Sequence, residues 1–109
     1  MHTGHIVVLT TFDKREDAER VARILVERRL AACVQMIAPM TSVYRWKGTV
    51  ETATETLCLI KTRRDLFPQI ERAMAELHPY EVPELVALPI EMGGAPYLKW
   101  LDEECVCPT

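Results

Sequence analysis

The sequence predicts one α+β domain of order strand, helix, strand, strand, helix, strand, with a further helix added at the C-terminus. Three observations predict it. A continuous apolar run, Ile6-Val7-Val8-Leu9, lies near the N-terminus. Two long alternating segments meet at Lys47-Gly48. Two stretches carry apolar residues at helical spacing, one before those segments and one after.

The elements follow in order. His5 to Phe12 holds the apolar run and fits a central strand buried on both faces. Asp13, with Glu16 three residues on, resembles a capping box. Ala18, Val21, Ala22, Leu25 and Val26 then form one helical stripe, which ends near Arg29-Leu30. Cys33 to Ile37 reads as a second strand. Pro39 cannot donate to a ladder, so it marks a bulge or a sheet edge. From Thr41 the strand resumes, with Ser42, Tyr44 and Trp46 on one face and Val43 and Arg45 on the other. After the Lys47-Gly48 turn a third strand runs from Thr49 to Thr62, with Leu57, Leu59 and Lys61 alternating against Thr56, Cys58 and Ile60. These two strands are long for the chain, and their edges need partners.

Leu66, Ile70, Ala73, Met74 and Leu77 mark a second helix. Asp65 is the expected N-cap, Pro68 sits in the first turn, and His78-Pro79 ends it. Val82 to Ile90 reads as a fourth strand fenced by Pro83 and Pro89. Ala95-Pro96 then opens a short helix with Tyr97, Trp100 and Leu101 as its apolar stripe. The order is the split βαβ, or ferredoxin-like, arrangement.

Length and composition bound the rest. The 109 residues form one domain, 1–109, with residues from about 105 to 109 as a flexible tail. A hydrophobic fraction of 49% supplies a modest core. The net charge of -3 argues against phosphate-backbone binding, so no nucleic-acid partner is expected. Arg28-Arg29 and Arg63-Arg64 each lie near acidic residues and read as solvated faces. No apolar run spans a bilayer, and the N-terminus lacks a signal-peptide pattern, so the expected location is the cytoplasm with reduced thiols.

The motifs place a family resemblance on these elements. Ala31-Ala32-Cys33-Val34, Ser42-Val43-Tyr44-Arg45-Trp46-Lys47-Gly48, Ile60-Lys61-Thr62, His78-Pro79-Tyr80-Glu81-Val82-Pro83-Glu84 and Tyr97-Leu98-Lys99-Trp100 resemble the CutA, or divalent-cation tolerance, proteins. The likeness runs from about His5 to Asp102. It implies a ferredoxin-like protomer in a homotrimer, with the long strands pairing between subunits. It also implies a role in copper and divalent-metal tolerance, and no agreed catalytic activity. The family's proposed copper ligands are a cysteine ending the first strand and histidines ending the second helix. Thr10 and Leu77 stand at two of these positions, and only His78 remains. Gln35 replaces the family's usual Asn.

His78 is therefore the leading candidate for a weakly held copper ion; its other reading is a helix-ending residue bonded to a free carbonyl. Cys105 and Cys107 form a Cys-x-Cys that suits soft Cu(I), or else are two incidental tail thiols. Cys33 and Cys58 read as core residues, and His2 with His5 as a frayed terminal pair. Tyr44, Trp46, Lys61, Tyr80, Glu81 and Glu84 form the second constellation. It reads either as an inter-subunit cleft for a small polar ligand or as a set of interface anchors. No catalytic motif is present, so an enzyme is not expected. Two functions follow: a trimeric divalent-cation tolerance protein that binds copper weakly, or a trimeric small-molecule sensor or scaffold similar in architecture to the PII signalling proteins.

Overall fold

The computed structural model describes residues 3–106. Its strands are β1 (His5–Phe12), β2 (Cys33–Trp46), β3 (Thr49–Arg63) and β4 (Val86–Pro89). Its helices are α1 (Arg15–Glu27), α2 (Phe67–Leu77) and α3 (Ala95–Glu104), with a 3₁₀ turn at Arg64–Leu66 before α2. One antiparallel sheet has the order β2-β3-β1-β4, the ferredoxin-like order. The expected fold class is thus observed in the protomer.

Pleating sorts the residues into two faces. Ile6, Val8 and Phe12 of β1 and Cys58 and Ile60 of β3 meet Ala18, Val21 and Leu25 of α1 and Ile70, Ala73 and Met74 of α2. This is the main core. The opposite face has no such cover. There Val7 and Leu9 are only half-buried, so the expectation that β1 is buried on both faces fails for the single chain. Two helices in a chain of this length can cover only one side of the sheet.

The β2–β3 ladder runs from Cys33↔Lys61 to Trp46↔Thr49. A register shift between Ile37 and Met40 brackets the cis Ala38–Pro39 bond, where the missing ladder donor was expected. The turn uses positive φ at both central residues, Lys47 at 49° and Gly48 at 81°, as a two-residue hairpin with right-twisted strands requires. β1 ends at Phe12↔Thr56, so residues 49–55 of β3 and their β2 partners extend without a third strand. About seven residues at ~3.3 Å each carry this arm roughly 23 Å from the body, and the molecule measures 44 × 26 × 22 Å.

Several boundaries differ from expectation. Lys14, not Asp13, is the N-cap of α1, and no side chain caps it. The helix stops at Glu27, two residues early, because Arg29 turns to φ 60° and closes the end. Val26 faces a shallow groove with Ala22, Val34 and Met36 instead of the core. Asp65 does not cap α2, because both its oxygens bind the Arg63 guanidinium. β4 holds only Val86–Pro89, because residues 82–85 leave the sheet around Pro83.

On α3 only Leu101 is buried; Tyr97 and Trp100 stay partly exposed, with ring centroids 5.5 Å apart. Leu101 packs with Ala32, Leu66 and Cys105 in a second, small core. Cys105 is therefore not part of a flexible tail. Arg29 donates to the Glu103 and Glu104 carbonyls, and the Val106 N–H donates to the Arg29 carbonyl. These bonds hold the chain as far as 106. Cys107 and His2 lie outside the described residues.

Leu101 is 0% exposed and anchors both α3 and the segment after it. Leu101→Ala should cost about 2–5 kcal/mol, read as a lowered denaturation midpoint. A midpoint within error of the parent would show that α3 adds no packing energy.

Candidate functional site

The site grows from the end of α2. His78 ends that helix, and its backbone N–H donates to the Met74 carbonyl. Its ring stacks on Phe12, with centroids 4.1 Å apart and planes 13° from parallel. Nε2–H donates to the Thr11 carbonyl at 2.8 Å, and Nδ1 accepts the Tyr80 backbone N–H at 3.2 Å. Both nitrogens are engaged and the residue is buried. Desolvation pushes the imidazole pKa below its ordinary value, against smaller upward pulls from the Thr11 carbonyl and from Asp17 and Glu55. His78 is thus a neutral, helix-ending residue that fixes the following loop. Ligation of a metal by either nitrogen would break one of these bonds.

The loop so fixed presents Tyr80, whose hydroxyl donates to Glu55 Oε2 at 2.7 Å. Burial, and then this bond, push the phenol well above its ordinary pKa. Beside the pair a cleft of about 580 Å³ runs from the root of the hairpin along the arm, with Thr11, Tyr44, Trp46, Glu55, Glu81 and Glu84 in its walls. β2 supplies the two aromatic side chains, and the loop between α2 and β4 supplies Tyr80, Glu81 and Glu84.

Five of the six residues expected in the second constellation therefore meet: Tyr44, Trp46, Tyr80, Glu81 and Glu84. Lys61 does not join them. It lies six residues along β3 from Glu55, roughly 20 Å at ~3.3 Å per residue. Its Nζ donates to Gln35 Oε1 at 2.8 Å and sits 5.9 Å from the Tyr97 ring centre. Strand periodicity puts Lys61 on the face of Glu55 but says nothing of distance along it. Glu55 was missed. The available signal was its place as the last acidic residue before Leu57 and Leu59 on the same face.

The thiols sit inside the fold. Cys105 Sγ is buried and meets Thr62 Oγ1 at 3.9 Å, and burial raises its pKa. Cys58 is buried, and desolvation pushes its thiol up to about 11. Neither is poised as the thiolate that a soft metal prefers. Cys33 is half-buried on β2. At the far end of β1, buried His5 donates from Nε2 to Asp102 Oδ1 at 2.8 Å, which ties α3 to the sheet. Among the described residues, no three His, Cys, Asp or Glu side chains are grouped to hold a metal ion.

The model of the CutA1 divalent ion tolerance protein family matches residues 6–104. The chain belongs to this family. The divalent-cation tolerance protein CutA of Thermus thermophilus is 50% identical over 97 residues, covering 89% of this chain and 94% of the relative. The solved structure of a divalent-cation tolerance protein from the same organism superimposes with a TM-score of 0.91 at 47% identity, covering 94% of this chain and 99% of that one. CutA1 from Oryza sativa gives 0.92 at 38% identity, with 96% of each chain covered. Protein CutA of Mus musculus is 48% identical over 86 residues, which are 79% of this chain and 49% of the longer mouse protein. The expected CutA membership is thus established, along with the ferredoxin-like fold and its long hairpin.

The His78 environment sets a pH dependence. Its folded pKa lies below the ordinary 6.5, so the unfolded chain takes up a proton first as pH falls. Stability from this residue is full above about pH 6.5 and is lost as pH falls towards the folded pKa. Melting temperature should therefore drop between pH 7 and 5, and the drop should be smaller in His78→Gln. Equal acid slopes for the two proteins would show that His78 does not carry the effect.

Proposed function

We propose that this CutA-family chain serves divalent-cation tolerance as a homotrimer, not as an enzyme, with a small-ligand cleft at the root of its hairpin. The observation that carries this reading is the uncovered sheet face. Register aligns Val86, Leu9, Leu59 and Gln35 across the four strands, with Leu88 and Val7 beside them and Leu57 opposite Ile37. Ile37, Val86 and Leu88 are about half-exposed. A contiguous apolar face on a small protein marks an interface. The arm adds exposed Val43 and Val50 and an unpaired β2 edge, which also call for partners. Closed rotational symmetry satisfies such edges without endless growth, and a ring of three is what the family resemblance implies.

Copper binding in this reading is weak and secondary. The nitrogens of His78 are bonded within the protein, and Cys105 is packed in the small core. A sensor or scaffold role is favoured by the cleft, where aromatic walls and polar groups converge in a volume ordinary for small ligands. We assign the protein to the cytoplasm; Cys33, Cys58 and Cys105 are free thiols, as a reducing compartment keeps them.

Light scattering on the purified chain should give three times the 12.5 kDa chain mass at micromolar concentration. Leu59→Asp, which puts a charge on the open face, should dissociate the particle and lower its melting temperature in a concentration-dependent way. A monomeric parent, or a Leu59→Asp protein of unchanged mass, would refute this assembly.

A further inference from the structure

We propose that the residues after α3 form a thiol gate: a strap held by Arg29 that closes Cys105 off from small disulfides and stays open once Cys105 has exchanged with one. The helix ends at Glu104, and Cys105 follows in extended backbone, at φ -97° and ψ 139°. Its side chain turns back into the fold against Ala32, Leu66 and Leu101, and the residue is 5% exposed. Thr62 Oγ1 donates to the Leu30 carbonyl at 2.6 Å, so towards Cys105 Sγ, 3.9 Å away, it presents an acceptor for S–H. The closed site therefore suits the neutral thiol, which burial also favours and which is unreactive.

Three bonds to Arg29 hold the strap. The guanidinium donates to the Glu103 and Glu104 carbonyls, and the Arg29 carbonyl accepts the Val106 N–H. α3 has no basic residue in its own last turn, so Arg29 supplies the cation that a helix C-terminus favours. Both guanidinium bonds are exposed, and bonds made in water hold weakly. The helix itself is anchored separately, by buried Leu101 and by Asp102 bonded to His5. The strap can thus open while α3 stays docked, a local event that needs far less than unfolding. Cys58 differs: it lies with α1 and α2 in the main core, where only global unfolding reaches it.

In the open state the Cys105 thiol gives its proton to water, and the thiolate attacks a small disulfide such as oxidised glutathione. An Sγ–S bond forms, the S–S bond of the reagent breaks, and one thiolate leaves. The attached group does not fit among Ala32, Leu66 and Leu101, which are 8%, 1% and 0% exposed. The strap then stays open until a thiol reverses the exchange. The gate lies on the helix-covered side of the sheet, because Thr62 pairs with core residue Ile6 and is 0% exposed. That side is away from the open face and the arm.

The test uses the assembled full chain with Cys33→Ser and Cys107→Ser, which leaves Cys58 and Cys105 of the four cysteines. Dithiobis-nitrobenzoate, an aromatic disulfide, is added in native buffer, and peptide mass spectrometry gives the rate at each thiol. Arg29→Gly removes the guanidinium and suits the positive φ at this position, so α1 should still close. It should speed Cys105 at least tenfold and leave Cys58 unchanged. Val106→Pro, which removes the N–H bonded to Arg29, should speed Cys105 several-fold. Equal Cys105 rates in the parent and both variants would overturn the latch, the outcome also expected if a neighbouring subunit covers the strap. Equal acceleration of Cys58 and Cys105 would mean unfolding of the whole chain and would overturn the gate. After incubation with oxidised glutathione, hydrogen exchange at the Cys105 and Val106 amides should rise, then return on reduction. Unchanged exchange, or no mixed disulfide at Cys105, would refute a strap held open by exchange.

Discussion

A mismatch of strand lengths governs this molecule. β2 and β3 hold 14 and 15 residues, while β1 holds 8 and β4 only 4. The long pair outlasts its neighbours at Phe12↔Thr56, and from there each strand has one partner inside the protomer. A two-stranded ribbon in water is marginally stable by itself. Its tip carries valines on both strands, Val43 and Val50, more than half exposed. The arm therefore stands as both a cost and an invitation to association. The corner where it leaves the body cannot be filled by sheet, and the cleft lies at that corner.

What shapes the cleft is a short relay of contacts from the core outward. Phe12 is fully buried in the core and lends one ring face to His78. His78 spans from the Thr11 carbonyl to the Tyr80 backbone N–H. Tyr80 then passes the constraint to Glu55 on β3 through its hydroxyl. After the ring stack, each step uses a hydrogen bond in a partly or fully buried place, where such bonds are strong and their loss is costly. The relay requires a neutral imidazole with its proton on Nε2, since a carbonyl can only accept. The lowered pKa and the bonding pattern thus agree. The end of a helix, the end of a strand and the root of the arm are set by one side chain.

Much of this was legible in the sequence because it rests on local rules. The turn at Lys47-Gly48, the break at Pro39 and the alternation along β3 each follow from backbone sterics or pleat geometry, and each is found. Rules with competing outcomes fared worse. Asp65 suits an N-cap, but the Arg63 guanidinium two residues away offers a bidentate charged partner, and that wins. The residues from Val82 have strand composition, yet Pro83 and the loop that holds Glu84 at the cleft keep them out of the sheet. Cys105 looked like part of a loose tail because three residues of spacing do not reveal that Arg29, seventy-odd positions away, holds the preceding carbonyls. Glu55 could be placed on the face of Leu57 and Leu59, but its bond to Tyr80 depends on where the loop after α2 lies, which strand spacing does not give.

The same geometry bears on how a tolerance protein of this chain's make-up meets metals. Pleating points Thr10 into the helix-covered side with Ile6, Val8 and Phe12, and it is 0% exposed with its hydroxyl unpartnered. His78 lies against Phe12 on that same side of the molecule, its nitrogens spoken for. Cys58 and Cys105 are also inside, with thiol pKa values raised by burial. Cys58, Cys105 and His78 are thus desolvated and neutral, while the exposed carboxylates at the cleft, Glu81 and Glu84, are hard donors beside aromatic rings. Chemistry of that kind discriminates by charge and shape far better than by softness. At the corner between arm and body the open side chains are thus carboxylates and aromatic rings, while Cys58, Cys105 and His78 serve in packing and in fixing the loop.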